Sequence, residues 1–291
     1  MISVVIPSYR RKESMLALLR DVMRQQGVNF EVIVVDDVSD DGSVDAIKNE
    51  FPEVKLLVNT HNSGPAVTRN RGVRAAKYEI IVGFDSDVTV PDPNCLAKTC
   101  RALNNQPQTT AIAFRLLQPD GMTDDYARWW HPKDYRTFSK KPFETDYFSG
   151  TGYAFRKSAM LEAGAFPEYL YMHYEEVILA LRTIDRGGRI MYEPSLTVIH
   201  HEGQVSRRSE IKSFYKHRNQ LLLAYLHYPF FIAIGYILPR SFYTFAKALK
   251  GGYLRSYFRS IASVSKVVRE NHLSRRPVSK KTLQKLKVIR H

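Results

Sequence analysis

Asp85-Ser86-Asp87 ends an apolar run, residues 78–84 (YEIIVGF), and places two carboxylates where they could hold a cation. Ile80, Ile81, Val82 and Phe84 have the β-branched and aromatic character of a strand buried on both faces. Side chains two apart on an extended chain share a face, so Asp85 and Asp87 are expected to point together at the carboxyl edge, where open α/β sheets bind ligands. Two carboxylates that close repel. A divalent cation shared with a diphosphate would relieve the repulsion, and a hard oxygen site favours Mg²⁺ or Mn²⁺. The alternative is a capped, solvated turn. A second acidic pair, Glu175-Glu176, opens a helical pattern, where negative charge suits the helix N-terminus.

The elements that must carry these residues alternate from the first residue. Residues 2–6 (ISVVI), 30–35 (FEVIVV), 54–59 and 78–84 read as strands, and 13–25, 44–49 and 64–76 as the helices between them. That is β-α-β-α-β-α-β, a mostly parallel, doubly wound α/β sheet flanked by helices. Beyond Asp87 the pattern predicts a helix in 91–105, a strand at 110–117, and a long polar and aromatic loop over 119–147 containing Trp129, Trp130 and His131. Trp129, Trp130 and His131 either stack on a ring-shaped ligand or bury the loop. Further strands are expected at 150–155, 190–193 and 197–201, with helices at 158–163 and 175–186.

Charge is unevenly placed. The chain of 291 residues carries a net +14, yet from Val205 onward 19 Lys and Arg face only Glu210 and Glu270, a net +17, and the first 204 residues keep −3. A localised anionic partner is implied for the tail. Residues 221–239 have no charged side chain and approach the length of a membrane span, but contain His227, Pro229, Gly235 and Pro239. A bent segment lying in the interface is expected, followed over 240–269 by interleaved basic, aromatic and aliphatic residues suited to an in-plane helix on anionic lipid. The alternative is a helical subdomain packed on the core with a solvated basic face. The last ten or so residues read as disordered. Cys95 and Cys100 are the only thiols and fit a reduced, cytosolic protein; the N-terminus enters a strand at once, without the pattern of a cleaved signal peptide.

Together, VVIPSYRR (4–11), VVDDVSDDGS (34–43), NSGPAVTRNRGVRAA (62–76) with FDSD (84–87), and YEEVILALR (174–182) followed by IHHEG (199–203) resemble family 2 glycosyltransferases of the GT-A fold. The resemblance implies a catalytic domain over 1–204, with a nucleotide-sugar half (1–105) and an acceptor half (106–204), and a helical, basic, membrane-associating tail over 205–291. Pro7, Ser8 and Asp36, with Asp37 as a second contact, would hold the nucleoside. Arg69 and Asn70 would lie beside the donor diphosphate with Asp85 and Ser86. Asp85 and Asp87 become the metal pair, completed by His201, with His200 as its competitor. The base that deprotonates the acceptor hydroxyl would be Glu176, with Glu175 as the alternative; the family usually has Glu-Asp there, so the added methylene is a departure. Gly150-Thr151-Gly152 lies where the family shapes the acceptor side.

The resemblance and the basic tail together imply a metal-dependent (Mn²⁺ or Mg²⁺), inverting transfer from a UDP- or dTDP-sugar to a lipid-linked glycan on the cytoplasmic face of an anionic membrane. A nucleotidyltransferase would need a Gly-rich loop after the first strand, where this chain has Pro7-Ser8-Tyr9-Arg10-Arg11. A nucleic-acid partner would not need the uncharged length of 221–239, so no nucleic acid is expected. A soluble transferase acting on a protein or small molecule is the remaining alternative.

Overall fold

The computed structural model describes residues 1–201 and 209–290. Its first half follows the alternation of the sequence: β1 (Ile2–Ser8), α1 (Lys12–Met23), β2 (Phe30–Asp36), α2 (Ser43–Glu50), β3 (Lys55–Val58), α3 (Pro65–Ala75) and β4 (Ile80–Phe84). These strands lie in the order β3-β2-β1-β4, all parallel. Every residue of β4 is buried, as its unbroken apolar run requires. Pro65 opens α3 with a preset φ, and Gly72 lets that helix press on β1: a Cβ at Gly72 would stand 2.4 Å from a Val5 methyl. The carboxyl ends of β1, β2 and β4 therefore meet the N-terminus of α3 at one edge.

The second half is β5 (Val88–Thr89), α4 (Cys95–Asn105), β6 (Ala111–Leu117), α5 (Tyr135–Phe138), β7 (Phe143–Thr145), β8 (Gly152–Arg156), α6 (Lys157–Glu162), α7 (Glu175–Asp185) and β9 (Ile190–His200). The sheet continues β4-β8-β6-β9-β5, with β7 also on β9. Here the direction mixes, since β8 is antiparallel to both β4 and β6. The two strands expected over 190–201 are one. Glu193 pairs with Phe114 and Thr197 with Arg115, so residues 194–196 bulge, as Pro194 cannot donate to a ladder. The 119–147 segment is folded around Trp129, whose indole N–H donates to the Lys133 carbonyl at 2.7 Å and whose ring meets Tyr192 and His131 edge-on. Trp129 and His131 bury the loop; Trp130 faces a cleft.

Four helices follow: α8 (Ser209–His227), α9 (Phe230–Lys250), α10 (Leu254–Glu270) and α11 (Lys280–Arg290). The uncharged run 221–239 is broken at Tyr228-Pro229, so it bends, yet its first half is core rather than membrane surface: Leu222, Leu223, Ala224 and Leu226 are buried with the residues of α7. Packing explains the difference, because a helix apolar on the side that meets another helix cannot be told by composition from one that meets lipid. α10 packs on α8 and α9, with Ser256 and Ser260 buried and Val264, Val267 and Val268 against the core. Residues 280–290, expected to be disordered, are helical and packed. Leu286 and Ile289 are buried, Thr282 and Ser279 bond Asp185, and Arg290 pairs with Asp146 at 2.8 Å. Among the described residues no helix is long and apolar enough to cross a membrane.

Candidate active site

β4 stops at Phe84, and residues 85–87 form a turn before β5. Strand alternation therefore does not extend to Asp85 and Asp87, and the two carboxylates take different partners. Asp85 accepts from Arg69 Nη2 at 2.6 Å and from Thr151 Oγ1 at 3.2 Å. Asp87 pairs with Arg11 at 2.9 Å and lies 3.7 Å from His200 Nε2. Burial opposes the charge of Asp87, but His200 and then Arg11 outweigh it and hold the carboxyl below its usual range. His201, expected as the third metal ligand, is not beside Asp87 through its ring. That ring is exposed and meets Thr89 Oγ1 at 2.8 Å; only its backbone N–H reaches the Asp87 carbonyl. The inward residue is His200, the last of β9, buried between Asp87 and Asp125. Glu202 and Gly203 of the same motif lie outside the described residues. Among the described residues, no three His, Cys, Asp or Glu side chains gather at metal-binding spacing.

Arg69 is the hub of the site. It is 4% exposed, and its guanidinium reaches Asp85, Glu175 Oε1 at 3.5 Å and Glu176 Oε1 at 3.7 Å. Burial acts against its charge, and the fields of Asp85, Glu176 and Glu175 override burial to hold the proton more firmly than usual. The glutamates move the other way. Burial first, and Glu176 next, push Glu175 up to about 8; burial also raises Glu176, against Arg69 and a hydrogen bond from the Gly150 N–H. Gly150 is required there: a Cβ would stand 2.4 Å from Arg69 Nη2 and 2.6 Å from Glu176 Oε1. Glu175 is the deeper of the two, with Oε2 buried and unpartnered.

The segment before α7 fixes that pair. Tyr171, His173 and Tyr174 all have positive φ, which non-glycine residues adopt only when surroundings enforce it. α8 supplies the enforcement. Asn219 Nδ2 donates to the carbonyls of Leu170, Met172 and His173, Arg218 to that of Leu170, and Gln220 to the Tyr174 hydroxyl. Thus the helix that follows the catalytic sheet holds the turn that aims Glu175 and Glu176.

On the nucleoside side the residues divide. Ser8 is buried at the end of β1 with an unpartnered hydroxyl, next to half-buried Pro7, a place where a base or ribose could bond. Asp36 has no exposed surface, and its oxygens accept from the Ser39 N–H at 2.8 Å and hydroxyl at 2.6 Å. Asp37 accepts from Asn59 Nδ2 and from the N–H groups of Ser63 and Gly64, tying β3 to the start of α3. Both aspartates build the turns of the site, beside the place where a nucleoside contact was expected of them. Asn70, expected beside the donor diphosphate, bonds both N–H and C=O of Phe166 and the Glu168 carboxylate, pinning the two halves together. Ser86 is buried in the turn between the two aspartates. The residues overlooked were Arg11, Thr151 as a partner of Asp85, and Asn219; for Arg11 the signal was present, a second arginine after β1 on the edge where Asp87 emerges.

With this geometry in hand, the likeness to known proteins is informative. The family described as Glycosyl transferase family 2 matches residues 3–163, more than half of the chain. An uncharacterized glycosyltransferase of Haemophilus influenzae is 35% identical over 112 residues, 38% of this chain and 37% of that one. The succinoglycan biosynthesis protein ExoO of Rhizobium meliloti is 26% identical over 230 residues, 71% of this chain and 62% of that one. The chain thus spans less than two thirds of the length of these relatives. Among solved structures, S. aureus TarS with UDP-GlcNAc superposes with a TM-score of 0.64 at 16% identity, over 99% of this chain and 88% of that one. The mannosyltransferase PcManGT of Pyrobaculum calidifontis, with GDP-Man and Mn²⁺, gives 0.59 at 18% over 99% and 83%. The fold is GT-A, and the chain belongs to glycosyltransferase family 2.

Proposed function

We propose that the chain transfers a sugar, with inversion, from a nucleoside-diphosphate sugar to a hydroxyl of a lipid-linked glycan at an anionic membrane surface, in cell-surface polysaccharide assembly. The observation that carries the reading is the convergence of Glu175 and Glu176 on Arg69 and Asp85, which sets a base against the edge where a donor diphosphate would lie. Glu176 is the base, since its side chain keeps 15% exposure against 6% for Glu175 and faces Gly150 at the acceptor side. Its raised pKa suits a group that must take a proton near neutrality. Arg69 would meet the departing diphosphate oxygens, and buried Glu175 holds Arg69 in place.

Asp85 and Asp87 offer hard, anionic oxygens, and Asp87 is kept ionised, so the donor set fits Mn²⁺ or Mg²⁺ with the diphosphate supplying further oxygens. The ion would offset charge developing on the leaving nucleoside diphosphate. Arg11 and Arg69 hold these carboxylates in the structure and would yield or share them. Metal-bound and nucleotide-sugar-bound neighbours such as PcManGT support both ligands here. Support for the acceptor comes from relatives named for succinoglycan and colanic acid biosynthesis. The membrane reading rests on α9. Phe231, Leu238, Phe242 and Leu249 are 84%, 63%, 73% and 60% exposed along one face at helical spacing, beside a strongly basic chain end.

Calorimetric titration with UDP-, dTDP- and GDP-sugars, with Mn²⁺ or Mg²⁺ and then with chelator, tests the donor. Metal-dependent binding of one of them is expected; binding of none by the protein on anionic liposomes would remove the proposal.

A further inference from the structure

A cleft of about 410 Å³ opens beside the Glu176 end of α7, between the 129–147 segment and the C-terminal helices. Its walls are aromatic: Trp130 stacks on Tyr147 and meets Tyr174, and Tyr228 and Tyr236 face them from the α8 end and α9. Tyr147 lies within the fields of Glu176 and Glu175, so the cleft reaches the base. Its rim is cationic. Lys216 stands 5.6 Å over the Trp130 ring and Arg240 3.8 Å over the Tyr236 ring, and Lys247 is close enough for Lys216 to feel both Arg240 and Lys247. Arg290, by contrast, is already matched by Asp146. Among the described residues no carboxylate pairs with Lys216, Arg240 or Lys247. Three like charges held together without a counter-charge destabilise one another unless an anion joins them. Burial, then Lys247 and Arg240, lower the Lys216 ammonium's affinity for its proton.

We propose that this cleft is the acceptor subsite: the acceptor sugar packs against Trp130 and Tyr147, and Lys216, Arg240 and Lys247 hold a phosphate or diphosphate that the acceptor carries. Aromatic walls take the apolar face of a sugar ring, and guanidinium and ammonium groups make charge-assisted bonds to phosphate oxygens. The site fits an amphiphile: Arg240 belongs to α9, whose opposite face is the exposed apolar stripe, so a lipid tail held by a membrane under α9 would bring its phosphate to that rim. This inference rests on the transferase reading above, which fixes Glu176 as the base that the cleft must serve.

The test uses the full chain and three probes: a hexose linked to a short prenyl diphosphate, the same hexose 1-phosphate, and a prenyl hexoside lacking phosphate. Calorimetry is expected to show the first binding at least about tenfold tighter than the phosphate-free glycoside. Lys216→Ala with Arg240→Ala should remove that advantage, Trp130→Ala should weaken the first and third probes alike, and Lys280→Ala with Lys281→Ala, an equal charge loss on α11, should leave all binding unchanged. If hexose 1-phosphate binds as tightly as the prenyl compound, the anion site stands and its ligand is a water-soluble sugar phosphate. Equal affinity for glycoside and diphosphate, or equal losses in the two double variants, overturns the proposal. Nucleotide-sugar binding is measured in parallel: if it is present while no acceptor probe binds, the subsite alone is refuted, and if it is absent, the transferase reading fails with it.

Discussion

The acidic pair after β4 and the acidic pair opening α7 carry the same number of carboxylates, yet they are neutralised differently. Asp85 and Asp87 diverge in a turn, and each has its own cation, Arg69 or Arg11. Glu175 and Glu176 converge on the guanidinium that Asp85 already occupies. One positive charge cannot balance three negative ones in a buried site, so the glutamates, farther from it, hold their protons more tightly. Asp87, beside His200 and Arg11, is held below its usual range, which suits the cation ligand proposed for it. Glu175 and Glu176 are pushed up, which suits the base proposed among them. Burial first, and the sharing of one guanidinium second, set two pairs of like chemistry apart.

The largest effect expected is from removing the base. Glu176→Gln should lower transfer about 10²- to 10⁴-fold with nucleotide-sugar affinity retained, measured by steady-state rates alongside calorimetry. A near-normal rate would exchange the roles of the two glutamates. Next is the shared cation. Arg69→Met leaves Asp85, Glu175 and Glu176 without their counter-charge and should cost about 3–5 kcal/mol in denaturant unfolding. Arg69→Lys should recover only part, because a single ammonium cannot make the fork that reaches three carboxylates. Then the separately paired carboxylate: Asp87→Ala should abolish the metal dependence of donor binding and cost less stability than Arg69→Met, since it strands one half-buried cation where Arg69→Met strands three carboxylates. An unchanged metal requirement would move the cation elsewhere.

How far the sequence reaches is shown by these same residues. The strand ending before Asp85 and the helix beginning at Glu175 were legible, because an unbroken apolar run and a 3.6-residue period are local signals. The side-chain directions of Asp85 and Asp87 were not, because the strand stops one residue short of the pair and a turn does not alternate. The choice between His200 and His201 depends on which face of β9 turns inward, and that is set by pairing with β5 and β6, distant in sequence. The tail shows the same limit. Composition identified basic, apolar helices, but whether an apolar face meets lipid or α7 is a tertiary fact; α8 and α11 meet the catalytic body, while α9 keeps an open stripe. The ordering of the strained 171–174 turn by Asn219 has no local signal at all, since its hydrogen bonds span about 46 to 49 residues.

A pH-dependent effect on stability separates the two pairs directly. Glu175 has a folded-state pKa of about 8 against an ordinary 4.5, so between those values the folded protein binds more protons than the unfolded chain. Stability must then fall as pH rises through that window, by at most about 1.4 kcal/mol per pH unit for one proton, and level off above it. Asp87 has the opposite sign: its depressed pKa contributes stability above the ordinary carboxylate range that is lost as pH falls through the folded value. Denaturant midpoints taken from acid to pH 9 should therefore decline between about pH 4.5 and about pH 8 in the wild type and level off above. In Glu175→Gln, which keeps the shape and removes the titration, the decline should flatten while the loss on the acid side persists. If the decline between about pH 4.5 and about pH 8 is undiminished in Glu175→Gln, the proton sits on Glu176 instead, and the base in the folded protein begins its cycle already occupied.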